Sequence, residues 1–531
     1  MRIATLVAVA LFFVNVAGAA ASSRQESVLM DDSEFVYQDA QHVDQRMAEA
    51  KELGFDRVRV SVYWRLLAPN PDSKAKPAGD ATDPAWYGQG KWDRYDRIVE
   101  LAAKHGLGVL FTLTGPSPLW VTGTPKQGRS DVADTWNPNA AAFRDFVTAV
   151  GRRYSGAYQD EHQEPNVIPL LPPTTVKGPP LPRVDHWSIW NEPNHGGWLT
   201  PQWDGSPLVP QSPRIYRGLV DGAWAALQGS GHGADSILIG ETSPAGLNPG
   251  LTRGLHPLRF IRELYCLNGK LHPLKGKTAT ARGCPSKVNR AAFVAAHAGL
   301  FGATGWAHHP YSLTTAPRVR DRNRDDATLS GIPRLTRTLD RAFRVYGKSK
   351  KLPVWLTEYG YQTDPPDPTI GVSFGRQASW LDDATYLAYR NPRIASFAQF
   401  LLVDDGPIKQ YKPTDPRYWG TFQSGLITLQ GKHKPAYESF KRPISIAPSR
   451  VRRGGNVRVF GQLRTAADGA RLTATVQFRA RGSKKWSRAA VVSVRNVRGF
   501  FSTRVRARRS GSYRISWGAS GASRAVGVTV R

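Results

Sequence analysis

The chain has 531 residues, of which 40% are hydrophobic and 21% charged, and it carries a formal charge of +30. That length exceeds one ordinary domain and makes two the expected number, with ample apolar material for a sizeable core. Two cysteines, Cys266 and Cys284, stand in no metal-ligand spacing, so a cysteine-bound metal centre is excluded.

In chain order, Met1-Arg2, an apolar run from Ile3 to about Val16 and the small residues Ala17 to Ala21 match a secretory signal over residues 1–21. Export follows. A retained anchor is the alternative, but the run is shorter than the ~20 residues that span a bilayer, and no later segment reads as transmembrane.

From Val28 to Phe440 short β-prone runs alternate with amphipathic helical stretches, the rhythm of a parallel sheet. The strand candidates are Val28–Met30, Arg57–Tyr63, Gly108–Thr114, Val184–Asn191, Ile237–Glu241, Gly305–Pro310, Val354–Tyr359 and Ile394–Val403. Helices are expected over Val43–Leu53, Tyr95–His105, Asn139–Tyr154 and Pro213–Leu227. Eight strands predict a closed (β/α)8 TIM barrel over residues 24–441. A doubly wound open sheet is the alternative fold, without a glycine-rich phosphate loop after its first strand. Two stretches interrupt the rhythm and either wall the cleft or lie on the surface. One is Asp160–Arg183, which contains Pro172-Pro173 and Pro179-Pro180; the other is Asn268–Lys287. The second holds the two cysteines, which either pair outside the cytosol, closing a loop worth up to ~3 kcal/mol, or remain two free thiols.

Pro443 and Pro448 mark a boundary, and residues 442–531 read as a small all-β, immunoglobulin-like sandwich. Apolar residues alternate in Leu472-Ala474-Val476-Phe478, Tyr513-Ile515-Trp517 and Val526-Val528-Val530. This segment holds about 20 Lys and Arg against a single acidic residue, Asp468. Nucleic acid is the reflex partner for such charge, but an exported chain meets little of it. An anionic polysaccharide, a cell-envelope polymer or a membrane surface fits better; a solvated, non-binding surface is the bland alternative.

Chemistry concentrates at two strand ends, in Trp187-Ser188-Ile189-Trp190-Asn191-Glu192-Pro193-Asn194 and Val354-Trp355-Leu356-Thr357-Glu358-Tyr359-Gly360. Glu192 and Glu358 are thereby expected at the C-terminal mouth of the barrel, where such barrels keep their chemistry. Two carboxylates across a mouth are the minimal equipment for cleaving a glycosidic bond. Glu241, ending the fifth strand, is a third mouth carboxylate, which either binds a sugar hydroxyl or, as the favoured reading, pairs structurally with Arg59.

These residues resemble the retaining β-glycosidases of the clan A barrel superfamily, especially glycoside hydrolase families five and thirty-nine. The resemblance implies Glu192 as general acid/base, Glu358 as nucleophile and Asn191 as the partner of the sugar 2-hydroxyl. It implies that Arg59 holds the nucleophile ionised, that Tyr311 bonds the nucleophile and that His309 orients substrate, from His309-Pro310-Tyr311. Glu192 is then expected to be protonated at rest, its pKa raised by burial or by neighbouring carboxylates. Strands four and seven facing one another imply the ~5–5.5 Å carboxyl spacing of retention. Two departures stand out: Thr112-Leu113-Thr114-Gly115-Pro116 replaces a third-strand histidine, and Gln399-Phe400-Leu401-Leu402 replaces an eighth-strand tryptophan.

Of sixteen tryptophans, Trp120 and Trp198 follow the third and fourth strands and are the sugar-platform candidates. The expected protein is a secreted, possibly envelope-associated retaining β-glycosidase acting on a polysaccharide or oligosaccharide. Two carboxylates and water require no cofactor and no metal, and no His-Glu-x-x-His stretch occurs. A non-catalytic glycan-binding envelope protein and a transglycosylase using the same pair are the alternatives.

Overall fold

The computed structural model describes residues 22–126, 128–164, 174–466, 471–518 and 521–531. The signal-like segment 1–21 and Asp468 lie outside them. Eight parallel strands close into a barrel: β1 Glu26–Met30, β2 Arg57–Tyr63, β3 Gly108–Thr114, β4 His186–Ile189, β5 Ser236–Thr242, β6 Gly305–His308, β7 Val354–Leu356 and β8 Ile394–Phe400. Val28 of β1 pairs with Arg57 on one side and Ala398 on the other, which seals the ring. All eight expected strands are present. Those expected to run through Asn191, Pro310 and Tyr359 stop two or three residues earlier, where the chain turns to aim the site residues.

The period of two explains the layering. In β2, Val58, Val60 and Val62 join the core between sheet and helices, while Arg59 and Ser61 face the lumen side. Leu110, Leu238, Ala307 and Trp355 form their own buried cluster, one residue from each of four strands, and fill the barrel interior. The site is built above this plug.

The helices cover the outside. Those that matter below are α1 Ala40–Glu52, α2 Gln89–Lys104, α3 Ala140–Arg153, α4 Ser212–Gly229, α5 Ile332–Val345 and α6 Phe374–Tyr389. Asp39 caps α1 by accepting from His42 N, and Asn139 caps α3 by accepting from Ala142 N. Three of the four expected helices start late, because the apolar periodicity begins inside the first turn, and the third starts on its cap, Asn139.

The described part of the proline-rich excursion is a hairpin of Gln159–Glu164 and Thr174–Pro180, while Pro172-Pro173 lie outside the described residues. The hairpin lies in an αβ connection, at the end of the barrel opposite the strand C-termini, and its described residues do not line the cleft. Arg153 of α3 ties its base down, pairing with Asp96 and Asp160. The second insertion holds the Cys266–Cys284 disulfide, with Cα atoms 5.8 Å apart, and contributes nothing to the mouth. Among the described residues no helix is long and apolar enough to cross a membrane.

The C-terminal domain is a sandwich of a three-stranded and a five-stranded sheet. Its strands are β9 Ile444–Ala447, β10 Arg450–Val451, β11 Asn456–Gln462, β12 Leu472–Ala480, β13 Ser487–Val494, β14 Phe500–Arg506, β15 Gly511–Ser516 and β16 Val526–Val530, in orders β9-β11-β14 and β10-β16-β15-β12-β13. Ala474, Val476, Tyr513, Ile515, Trp517 and Val528 form its core, as the alternation predicts. The sandwich docks beside the N-terminal ends of the barrel strands. Phe460 and Phe500 pack on Tyr386 and Tyr389 of α6, and Arg464 lies 4.1 Å over Phe440. Arg498 pairs with Asp56, and Arg524 with Asp382. Gly54, at φ +81°, is obligatory here because a Cβ would stand 2.2 Å from the Arg464 carbonyl oxygen. The accessory domain therefore sits at the end of the barrel away from the mouth.

Candidate active site

Backbone turns at the ends of β4 and β5 set the site. Trp190, Glu192 and Glu241 adopt φ of +65°, +36° and +41°, a region non-glycine residues seldom occupy. Packing holds them there. Trp190 N donates to Leu113 O and its indole to Trp198 O. Fully buried Asn194 donates to Ser243 Oγ and Leu255 O and accepts from Ser243 N, locking the loop after β4 to the loop after β5. Gly240, at φ +111°, admits no side chain, since a Cβ would meet the Trp306 ring at 2.6 Å.

These turns bring together nearly every residue singled out in the sequence. Arg59, fully buried, donates from Nη1 to Glu358 Oε1 and from Nη2 to Asn191 Oδ1, both at 2.7 Å. Tyr311 Oη donates to Glu358 Oε2 at 2.9 Å. Burial, reinforced by the Glu358 charge, pushes this phenol well above its usual pKa, so it stays a donor. Glu192 and Glu358 present carboxylate oxygens within 4.8 Å of one another.

His309 sits between the carboxylates. Its Nδ1 lies 2.9 Å from Glu192 Oε1 and 3.4 Å from Glu358 Oε2, and its Nε2 lies 2.7 Å from Glu241 Oε2. Burial alone would depress its pKa, but Glu358, Glu192 and Glu241 outweigh burial and push it up to about 10. The ring is an imidazolium. Both nitrogens then donate, which leaves no lone pair for a metal ion despite the close approach of Glu192, His309 and Glu358.

The expected state of Glu192 is therefore corrected. Burial does raise its pKa, but the hydrogen bond and charge of His309 win, and the value falls below the ordinary glutamate one. The proton rests on His309. Glu241 is structural, as expected: it is fully buried, accepts from Ser188 Oγ and Thr357 Oγ1 at 2.6 Å each and lies 3.4 Å from Arg59 Nη2. Burial raises it, but the Arg59 charge and His309 bring it down to about 2.

A cavity of about 480 Å³ opens above this cluster, lined by Asn191, Glu192, Glu358, Tyr311 and Trp198 among others. Trp198 runs nearly parallel to Tyr63, ring centroids 6.5 Å apart, and lines this cavity. Trp120 does not. It lines a separate cavity with Asn137 and Arg214, donates to Pro69 O and packs edge-on against Trp64 and Trp86. It belongs to the packing of the loop after β3.

Several lining residues carried no sequence signal. Phe400 and Leu401 cluster with Met30 and Tyr311, and Phe422 meets Phe400 at 5.1 Å; this apolar group stands where the resemblance expects an eighth-strand tryptophan. Tyr37, Leu313 and Phe422 are 57%, 59% and 47% exposed at the rim. Asp32, just after β1, accepts from Tyr63 Oη at 2.8 Å and Ser61 N at 3.1 Å, its pKa raised by burial. His195 stands 4.0 Å from Glu192 Oε2. No lysine or arginine side chain lines the cavity among the described residues.

No protein-family model and no curated protein matches the chain. Among solved structures, a glucosidase from Croceicoccus marinus is similar at 12% identity over 92% of this chain and 95% of its own, with a TM-score of 0.46. GH5_18 from Bifidobacterium longum subsp. longum matches at 14% identity, over 78% of each chain, with a TM-score of 0.44. A family 1 β-glucosidase from Thermotoga maritima matches at 12% identity over 75% and 84%, also at 0.44.

Proposed function

We propose that the protein is a secreted retaining β-glycosidase of the clan A type, acting on an oligosaccharide or polysaccharide made of uncharged sugars. The observation that carries this reading is that carboxylate oxygens of Glu192 and Glu358 approach within 4.8 Å, which fits the short ~5–5.5 Å carboxyl spacing of retention better than the ~6.5–9.5 Å of inversion. The lining supports the uncharged sugar, since it carries Glu192, Glu358, Asp32 and Asp405 and no lysine or arginine side chain among the described residues.

Glu358, fixed by Arg59 and Tyr311, attacks the anomeric carbon. The glycosidic oxygen takes a proton from Glu192 as its bond to that carbon breaks, and the leaving alcohol departs. Glu192 obtains that proton across the 2.9 Å contact from His309 Nδ1, while His309 keeps its Nε2 proton on Glu241. In the second half-reaction Glu192 takes a proton from water, the resulting oxygen attacks the anomeric carbon, and the ester to Glu358 breaks. The Asn191 amide, its oxygen held by Arg59, turns its N–H groups to the 2-hydroxyl, a bond that strengthens as the transition state forms. Transfer to a second sugar uses the same steps with an alcohol in place of water. The basic sandwich serves as the attachment module to an anionic envelope polymer.

The test is hydrolysis of aryl β-glycosides of neutral sugars and of neutral β-glycans by the mature protein beside Glu192→Ala and Glu358→Ala. Activity lost in Glu358→Ala and lowered about 10²–10⁴-fold in Glu192→Ala is expected; full activity in either variant overturns the assignment.

A further inference from the structure

The sandwich carries its own cavity, of about 590 Å³, at the end farthest from the barrel. In the pairing of β12 with β15, Thr475 faces Ser516 near the Arg524–Asp382 contact, whereas Ala480 faces Gly511. Five residues at ~3.3 Å each put the second pair about 16 Å farther out. There Arg450, Arg479 and Arg481 wall a floor of small residues, Gly511 and Gly527, beside the hydroxyls of Ser449 and Thr529. Gly511 is required, since a Cβ would stand 2.3 Å from the Arg479 carbonyl oxygen.

Arg450, Arg479 and Arg481 line one cavity, and among the described residues no carboxylate pairs with any of them. One of the three is held in place: Arg479 and Arg514 grip Trp486 from guanidiniums 4.7 and 4.3 Å from the ring centroid, and Arg514 Nε donates to Gln477 Oε1 at 2.7 Å. An unneutralised arginine pocket is complementary to oxyanions, and its hydroxyls suit a hydroxylated backbone.

We infer that Arg450, Arg479 and Arg481 form a binding site for an anionic polysaccharide, one carrying carboxylate or phosphate groups on a sugar or polyol chain. The cavity offers no exposed aromatic face for stacking a base, since Trp486 is covered by the two arginines, and no projecting apolar side chain for entering lipid. This deepens the attachment role proposed for the sandwich and rests on it; the pocket shares no residue with the mouth, so the ligand is an anchor and loss of its binding is separable from loss of hydrolysis.

The experiment is affinity electrophoresis of the mature full-length protein at ~0.15 M salt through gels containing polygalacturonate, poly(ribitol phosphate) or dextran. It is run beside the variant Arg450→Gln/Arg479→Gln/Arg481→Gln and an equally charged control, Arg488→Gln/Arg495→Gln/Arg504→Gln, taken from exposed positions outside the cavity. Retention by either polyanion, weakened by added salt, absent in dextran, and lowered about tenfold or more in the first variant but under about threefold in the control is expected. The arm that retains the protein names the oxyanion. Equal losses in the two variants, no retention of the unmodified protein, or tighter pocket-dependent binding of a single-stranded oligonucleotide or of anionic vesicles overturns the proposal. Thermal unfolding midpoints matched among the three proteins exclude misfolding as the cause.

Discussion

His309 Nδ1 and Glu192 Oε1 face one another across 2.9 Å, and this contact decides where the acid's proton waits. With His309 raised to about 10, the pair keeps one shared proton across the neutral range. In His309→Gln the proton falls to Glu192 alone, and the limit is set by one carboxyl. The alkaline limb of the kcat/KM profile is expected to move to lower pH in that variant, with the acidic limb little changed. A profile on an aryl glycoside measures it; an unmoved alkaline limb contradicts the sharing of the proton.

The two adjacent histidines make opposite demands on stability. His309 is raised in the folded state above its unfolded value of ~6.5, so its contribution is complete below about pH 6.5 and is lost as pH rises toward about 10. His308 runs the other way. Burial lowers it to about 4, with its ring bonded to Ala327 O and Thr242 Oγ1, so the unfolded chain takes up its proton first and stability falls as pH drops from about 6.5 toward 4. Urea midpoints measured from pH 4 to 10 are expected to decline on both sides in the unmodified protein. In His309→Gln the alkaline decline is reduced and the acidic one kept.

Arg59 neutralises a buried group of carboxylates. Arg59→Met leaves Glu241 and Glu358 without their guanidinium and is expected to destabilise by about 3–5 kcal/mol as well as abolish hydrolysis. Arg59→Lys keeps the charge but not the fork that spans Glu358 and Asn191. It is expected to retain more stability than activity, as read from urea unfolding beside kcat.

The Cys266–Cys284 bridge closes a loop with a sequence separation of 18, and none of that loop lines the mouth. Cys266→Ser/Cys284→Ser is expected to cost about 3 kcal/mol in the chain-entropy account while leaving kcat and KM of the folded protein unchanged.

The barrel was legible because each strand is a short β-prone run bounded by a turn, and because a lumen-facing Arg59 among Val58 and Val60 betrays the period of two. The pair Glu192 and Glu358, with Asn191, His309 and Tyr311, was legible because each stands at or just past a strand end, and Arg59 because it is an arginine between valines inside a strand. The apolar rim was not. Phe400, Leu401 and Phe422 look like core residues in sequence, and Tyr37 and Leu313 lie in connections with no pattern of their own; only closure of the ring sets β8 beside β1. Trp120 misled for the same reason, since nearness to a strand end does not say which way a loop tryptophan turns. The resting proton was misjudged because His309 was read as a substrate contact, while the carboxylates that charge it come from three different strands.

The most direct test of the two-glutamate account is the first anomer released, followed by proton NMR during hydrolysis of an active aryl β-glycoside, together with the mass of the protein after treatment with the corresponding 2-fluoro sugar. The account predicts the β-anomer first and a single glycosyl adduct on the peptide containing Glu358, absent from Glu358→Gln. Release of the α-anomer first, or an adduct on another residue, would contradict it.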